Sequence, residues 1–284
     1  MRWTRGDRRN VEDMRGRSAS MRMGGIGLGG LLLVLLLTWF TGMDFLSLLG
    51  GGGVIVPEPA GTSGGPVTAS PEEERLVDFV DAVMEDAQSV WSGLLDTRYR
   101  RTTTVLFRDA IQSACGFAQS ATGPFYCPAD QRVYLDLGFF TELQRRFGAP
   151  GDFAQAYVLT HELGHHVQSL LGIERQVRQL QQARPDQANQ LSVRMELQAD
   201  CFAGVWGRHA AQPGRSALGR VELEPGDLEE GLNAAAAIGD DRLQRMAGTR
   251  VAPDRFTHGT SQQRVSWFRR GFETGDPQAC ETFQ

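Results

Sequence analysis

Lysine is absent. All 29 basic residues are Arg, a bias that codon usage in a GC-rich genome explains, so no function rests on it. The four cysteines, at 115, 127, 201 and 280, include no Cys-x-x-Cys pair, which argues against a cysteine-bound structural zinc, because such sites draw on closely spaced pairs. Two disulfides fit better than free thiols. Of the three pairings that four cysteines allow, Cys115 with Cys127 staples a short segment and Cys201 with Cys280 ties the C-terminus to the main helix, and this pairing is favoured. A basic surface is missing too. From Asp44 onward 22 Arg face 31 acids, so the main domain offers no footprint for nucleic acid and no such partner is expected. No internal repeat is visible.

Charge is also absent from residues 24–43, GGIGLGGLLLVLLLTWFTGM. At ~1.5 Å per residue this run spans a ~30 Å hydrocarbon core and predicts one transmembrane helix. A cleaved signal peptide fits less well, since Gly42-Met43-Asp44 has no small-x-small cleavage signature. The preceding residues, 1–23, hold seven Arg against Asp7, Glu12 and Asp13. Arg before an apolar segment keeps that end in the cytoplasm, so residues 1–23 are expected to be a cytoplasmic head outside the fold, with the main domain on the periplasmic or extracellular side. Residues 44–70, with four consecutive Gly at 50–53 and several Pro, read as a flexible linker. Ser70, Pro71 and Glu73 then read as an N-cap, a first-turn proline and a capping glutamate, which starts the domain 71–284.

Apolar residues between 72 and 95 recur at helical spacing. Short β-prone runs follow at 103–107, 123–127 and 132–135, the last two joined as a hairpin through residues 128–130. Helical patterns then occupy 138–147, 152–171, 174–183, 187–211, 227–247 and 261–272. The expected fold class is α+β: a mainly helical domain with a small antiparallel sheet.

The chemistry lies in HELGH at 161–165, on a helix that Asp152 can cap and that stops at Gly172. His161 and His165 are four apart, so both imidazoles leave one helix face and can share an ion, while Glu162 reaches a metal-bound water and serves as general base. Gly164 permits close helix packing. Catalytic zinc takes three protein ligands and an open fourth position. No His follows six residues after His165, which rules out the metzincin pattern. Glu196, on a second helix able to fold back antiparallel, is the expected third ligand, and Asp200, one turn later, is expected to bond the far nitrogen of a ligating His. His258 is a candidate donor to the oxyanion, with Tyr126 and Tyr134 weaker ones. His166 is expected beside the ligands or at the surface, and His209 in solvent against a helix dipole.

The segments HELGHHVQ at 161–168, ELQAD at 196–200, GPFYCPADQRVYLDL at 123–137, AAAAIGDDRLQ at 234–244 and FTHGTSQQRVSWFRRGFETGD at 256–276, together with the head MRWTRGDRRNVEDMRG, resemble the bacterial putative neutral zinc metallopeptidase family. The resemblance implies a membrane-anchored, zincin-like metallopeptidase using Zn2+ and a glutamate third ligand, and hydrolysing polypeptide substrates. The rival expectation is a non-catalytic, zinc-stabilised envelope scaffold, against which the retained Glu162 argues.

Overall fold

The computed structural model describes residues 1–16 and 69–283. No helix among them is long and apolar enough to cross a membrane; the span expected at 24–43 and the linker up to residue 68 lie outside the described residues. Helix α1 (Pro71–Leu95) opens as its sequence predicts, with the Ser70 hydroxyl accepting from the Glu73 N–H at 3.1 Å. The Glu73 carboxylate does not close a capping box. It turns to Arg108 and Arg15 instead.

Four strands form the main sheet: β1 (Val11–Asp13), β2 (Thr104–Phe107), β5 (Phe125–Cys127) and β6 (Arg132–Asp136), with β3 (Ala110–Ser113) and β4 (Gly116–Gln119) as a separate hairpin. The β5–β6 hairpin is antiparallel as expected, but β2 runs parallel to both β6 and β1. The sheet is therefore mixed rather than antiparallel. Strand β1 brings a second correction. Residues Met1–Gly16, expected outside the fold, belong to the same compact unit as Pro66–Gln284, so the domain does not begin at residue 71. Cross-strand bonds tie them in, Thr104 N–H to Asn10 O at 2.7 Å and Met14 N–H to Leu106 O at 2.8 Å.

The helical body follows β6: α2 (Gly138–Arg145), α3 (Asp152–Leu170), α4 (Ile173–Ala183), α5 (Ala188–Ala210), α6 (Asp227–Ala237), α7 (Asp240–Met246) and α8 (Ser261–Thr274). The α+β class holds, mainly helical with small sheets. The expected continuous helix 227–247 breaks at Gly239, where a Cβ would lie 2.3 Å from the Ser261 nitrogen; the break admits the segment before α8. Asp152 is not the cap of α3. It is the first helical residue, and the cap is supplied from α6 by Glu230, which accepts from the Phe153 N–H at 3.1 Å.

Helix α3 runs through the core, where Phe153, Tyr157, Leu163 and Val167 pack with Trp91, Phe202, Trp206 and Phe268. Each large side chain removed from water there contributes about 1.5–3 kcal/mol. Missing side chains set the helix approach. A Cβ on Gly164 would stand 3.0 Å from the Ala199 backbone of α5, and one on Gly204 of α5 would stand 2.0 Å from the Phe268 carbonyl of α8. Both pairings of cysteines occur as favoured: Cys115 with Cys127, fixing the β4 side of the hairpin to β5, and Cys201 with Cys280, fixing α5 to the C-terminus.

Candidate metal centre

His161 and His165 leave the same face of α3, their ring centroids 4.9 Å apart. Helix α5 lies against that face antiparallel, as its contacts show: Asp200 meets His161, and Met195 meets Gln168. Glu196 thereby arrives between the imidazoles, one carboxylate oxygen 3.1 Å from His161 Nε2 and the other 3.5 Å from His165 Nε2. One ligand atom from each of the three side chains lies within 4.8 Å of the other two. Two imidazole nitrogens and a carboxylate, converging at the wall of a cavity, match the donor set of a catalytic zinc site with its fourth position open. A second convergence, Asp152, Asp227 and Glu230, is all carboxylate and lacks that character.

A model of the family described as putative neutral zinc metallopeptidase matches residues 1–283. The chain belongs to this family. Membership implies zinc as the cofactor, and His161, His165 and Glu196 fit it. YpfJ of Escherichia coli K12, an uncharacterized protein by its printed name, is 48% identical over 296 residues, covering 100% of this chain and 99% of that one. The uncharacterized protein Rv2575 of Mycobacterium tuberculosis H37Rv is 44% identical over 208 residues, covering 72% of this chain and 69% of that one. No solved structure matches.

The candidate ligands are steered from behind. Asp200, fully buried, accepts from His161 Nδ1 at 2.9 Å, which leaves the Nε2 lone pair facing Glu196. The same carboxylate accepts from the Tyr157 hydroxyl at 2.5 Å and from Arg264 through Nε and Nη2, both at 2.9 Å. Burial alone would raise the Asp200 pKa; the Arg264 charge and the His161 bond overcome this and lower it. Burial likewise opposes the charged form of His161, but its bonds to Asp200 and Glu196 push it up to about 10. His165 is set by a different partner, Gln168 Oε1, 2.9 Å from its Nδ1. The Gln168 amide nitrogen is in turn spent on the Met195 carbonyl and on Gln198, which bonds the Cys280 carbonyl. Tyr157, Gln168 and Arg264 were not read from the sequence. Tyr157 and Gln168 carried a signal, at four before His161 and three after His165, on the ligand face. Arg264 carried none.

Glu162 is buried beside the ligands. Burial raises its pKa, while the His161 and His165 charges and the Tyr126 backbone N–H pull the other way. Tyr157, His161, Glu162, His165, Glu196 and Arg264 wall one cavity of about 1520 Å³, larger than the ~300–1,000 Å³ of small-molecule pockets. His258 faces it from the segment before α8. Asp240 organises that segment, one oxygen accepting from the backbone N–H groups of Thr257, His258 and Gly259 at 2.8, 2.7 and 3.0 Å, the other lying 3.3 Å from His258 Nδ1. The side-chain bond to Asp240 raises the His258 pKa.

The remaining expectations sort clearly. Tyr126 of β5 lines the cavity, but its hydroxyl lies 3.1 Å from His166 Nδ1. His166 is fully buried, its Nε2–H given to the Arg100 carbonyl at 2.7 Å, so it bolts α3 to the sheet side of the cleft. Tyr134 is not a cavity residue; it stacks on Phe125 and donates to Asp130 at 2.7 Å. His209 is half-buried rather than in solvent, and its Nε2 is buried without a hydrogen-bond partner.

Proposed function

We propose that the chain is a peptidase in which His161, His165 and Glu196 hold zinc and Glu162 is the general base for hydrolysis of peptide bonds. The observation that carries this reading is the placement of a buried carboxyl, Glu162, next to three converging ligand atoms at the wall of a cavity with room for several residues of an extended chain. Zinc bound there acidifies a water and polarises a substrate carbonyl. Glu162 takes the proton of the attacking water at its carboxylate and returns it to the leaving amine. Its burial raises its proton affinity and so suits both halves of that transfer. His258, whose Nδ1–H faces Asp240 and whose pKa that bond raises, donates through Nε2–H in its protonated form to the oxygen on which negative charge develops. Asp200 and Gln168 keep the two ligand imidazoles in the metal-binding tautomer.

Attachment to a membrane through residues 24–43 belongs to the same proposal. Its support is the length and uniformity of that apolar run, and the two disulfides favour an oxidising compartment for the domain.

The test uses the full chain, because residues 1–16 are part of the fold. Zinc stoichiometry is measured alongside cleavage of an unfolded protein by wild type and by Glu162→Gln. One zinc in both, with turnover lowered about 10²–10⁴-fold in the variant, is the expected result. Equal zinc with no cleavage by either protein favours the zinc-stabilised scaffold, and no zinc in either removes the proposal.

A further inference from the structure

We infer that Met1–Gly16 and the zinc-binding domain lie on the same side of any membrane that residues 24–43 enter. Strand β1 is the edge strand of the main sheet, and its flanks are joined to β2 by bonds of 2.7 and 2.8 Å. Asn10 at its start is buried. Its amide donates to Asp81 at 2.9 Å and Glu85 at 3.1 Å, and its carbonyl oxygen accepts from Gln88 at 3.0 Å and Arg101 at 2.8 Å. Trp3 adds an edge-on contact with Phe79 of α1. Hydrogen bonds act at ~3 Å, whereas a single crossing separates its two flanks by a hydrocarbon core of ~30 Å. Pairing of β1 with β2 and one crossing between them exclude each other.

Charge gives the second, independent observation. The Arg residues of the head were the reason to hold it in the cytoplasm, yet those among the described residues are matched by acids. Arg2 pairs with Glu222, Arg5 with Asp78, Arg8 with Glu74 and Asp78, and Arg15 with Asp13, Glu73 and Glu74, while Arg9 pairs with Asp7 inside the head. These five serve the fold; Arg17 and Arg22, next to the apolar run, lie outside the described residues. The two disulfides favour an oxidising compartment for the shared side. The peptidase reading does not enter this inference.

The experiment places a thiol on each part of the full-length chain in bacterial membranes. Arg9→Cys and, separately, Asp7→Cys report on the head, both exposed positions, and Leu218→Cys, at 79% exposure, reports on the domain. The four native cysteines are paired, so the unsubstituted chain is the blank. Intact spheroplasts are treated with a membrane-impermeant maleimide, then lysed and treated again. The inference expects head and domain thiols to label in the same step. Labelling of Leu218→Cys before lysis with Arg9→Cys and Asp7→Cys protected until lysis, or the reverse, overturns it.

Discussion

Arg264 of the metal centre and Arg15 of the N-terminal segment are buried alike, at 2% and 1% side-chain exposure, but they face different company. Arg264 pairs with a single carboxylate, Asp200, which is fully buried and also fixes His161, and it donates besides to the Tyr157 hydroxyl at 3.2 Å and the Ile238 carbonyl at 3.4 Å. Arg15 divides its bonds among Asp13, Glu73 and Glu74, which are 33, 23 and 38% exposed, and Glu73 holds Arg108 as well. A charge pair sealed from water has no substitute partner, so its geometry is fixed and its loss is severe. A cluster open to water shares the load and rehydrates what it loses. The first arrangement suits a site whose ligands must stay in place, the second a clip that holds a terminal strand on its sheet.

The strongest way to break this comparison is Arg264→Met. It strands the Asp200 charge in the interior and is expected to cost about 3–5 kcal/mol of stability and to weaken zinc about 10–100-fold, read by thermal melts and by competition with a chelator. An unchanged melting temperature would show that Asp200 has another source of charge balance. Adding Asp200→Asn to that variant should recover part of the lost stability without recovering zinc affinity, because it removes the stranded charge but not the misoriented imidazole.

Arg15→Met should cost less, about 1–2 kcal/mol in denaturant unfolding of the full chain, since its partners regain water. Its pH dependence sharpens the point. The hydrogen bond from Arg15 lowers the pKa of Asp13 and of Glu74, so the stabilisation is complete above the unfolded carboxylate range of about 4 and is lost as pH falls through the lower folded values. Melts of wild type and Arg15→Met should therefore converge in acid; a gap that widens there would refute the assignment. The smallest effect belongs to Tyr134→Phe. Removing its bond to Asp130 should cost about 0.5–1.5 kcal/mol and leave peptide cleavage unaltered in an activity assay.

The shared face of His161 and His165 was legible because helix geometry is local: residues four apart meet whatever else the chain does. Glu196 followed from the coordination number of zinc and from a helix long enough to return. The partners of the ligands were another matter. Gln168 and Tyr157 sit at helical spacings that also describe ordinary core residues, and only the arrival of Met195, Gln198 and Asp200 gives them a role. Strand β1 is three residues long, too short for an alternating pattern to register, and the Arg around it read as a membrane-orienting head until the acids opposite them were in view. The parallel pairing of β2 with β6 was hidden for the same reason, since strand direction depends on a crossing of the chain that no local pattern records.

By itself the amino-acid order determined most of the helices, the cap of α1, the turn of the β5–β6 hairpin and the shared face of His161 and His165, all of which depend on forces acting within a few residues. Only the tertiary structure decided that Tyr157 and Gln168 back the candidate ligands, that Arg264 neutralises the acid behind His161, and that the first sixteen residues belong to the domain. Those outcomes rest on charges and hydrogen-bonding groups brought together from distant parts of the chain, where burial makes each unpaired group costly and so selects the partner.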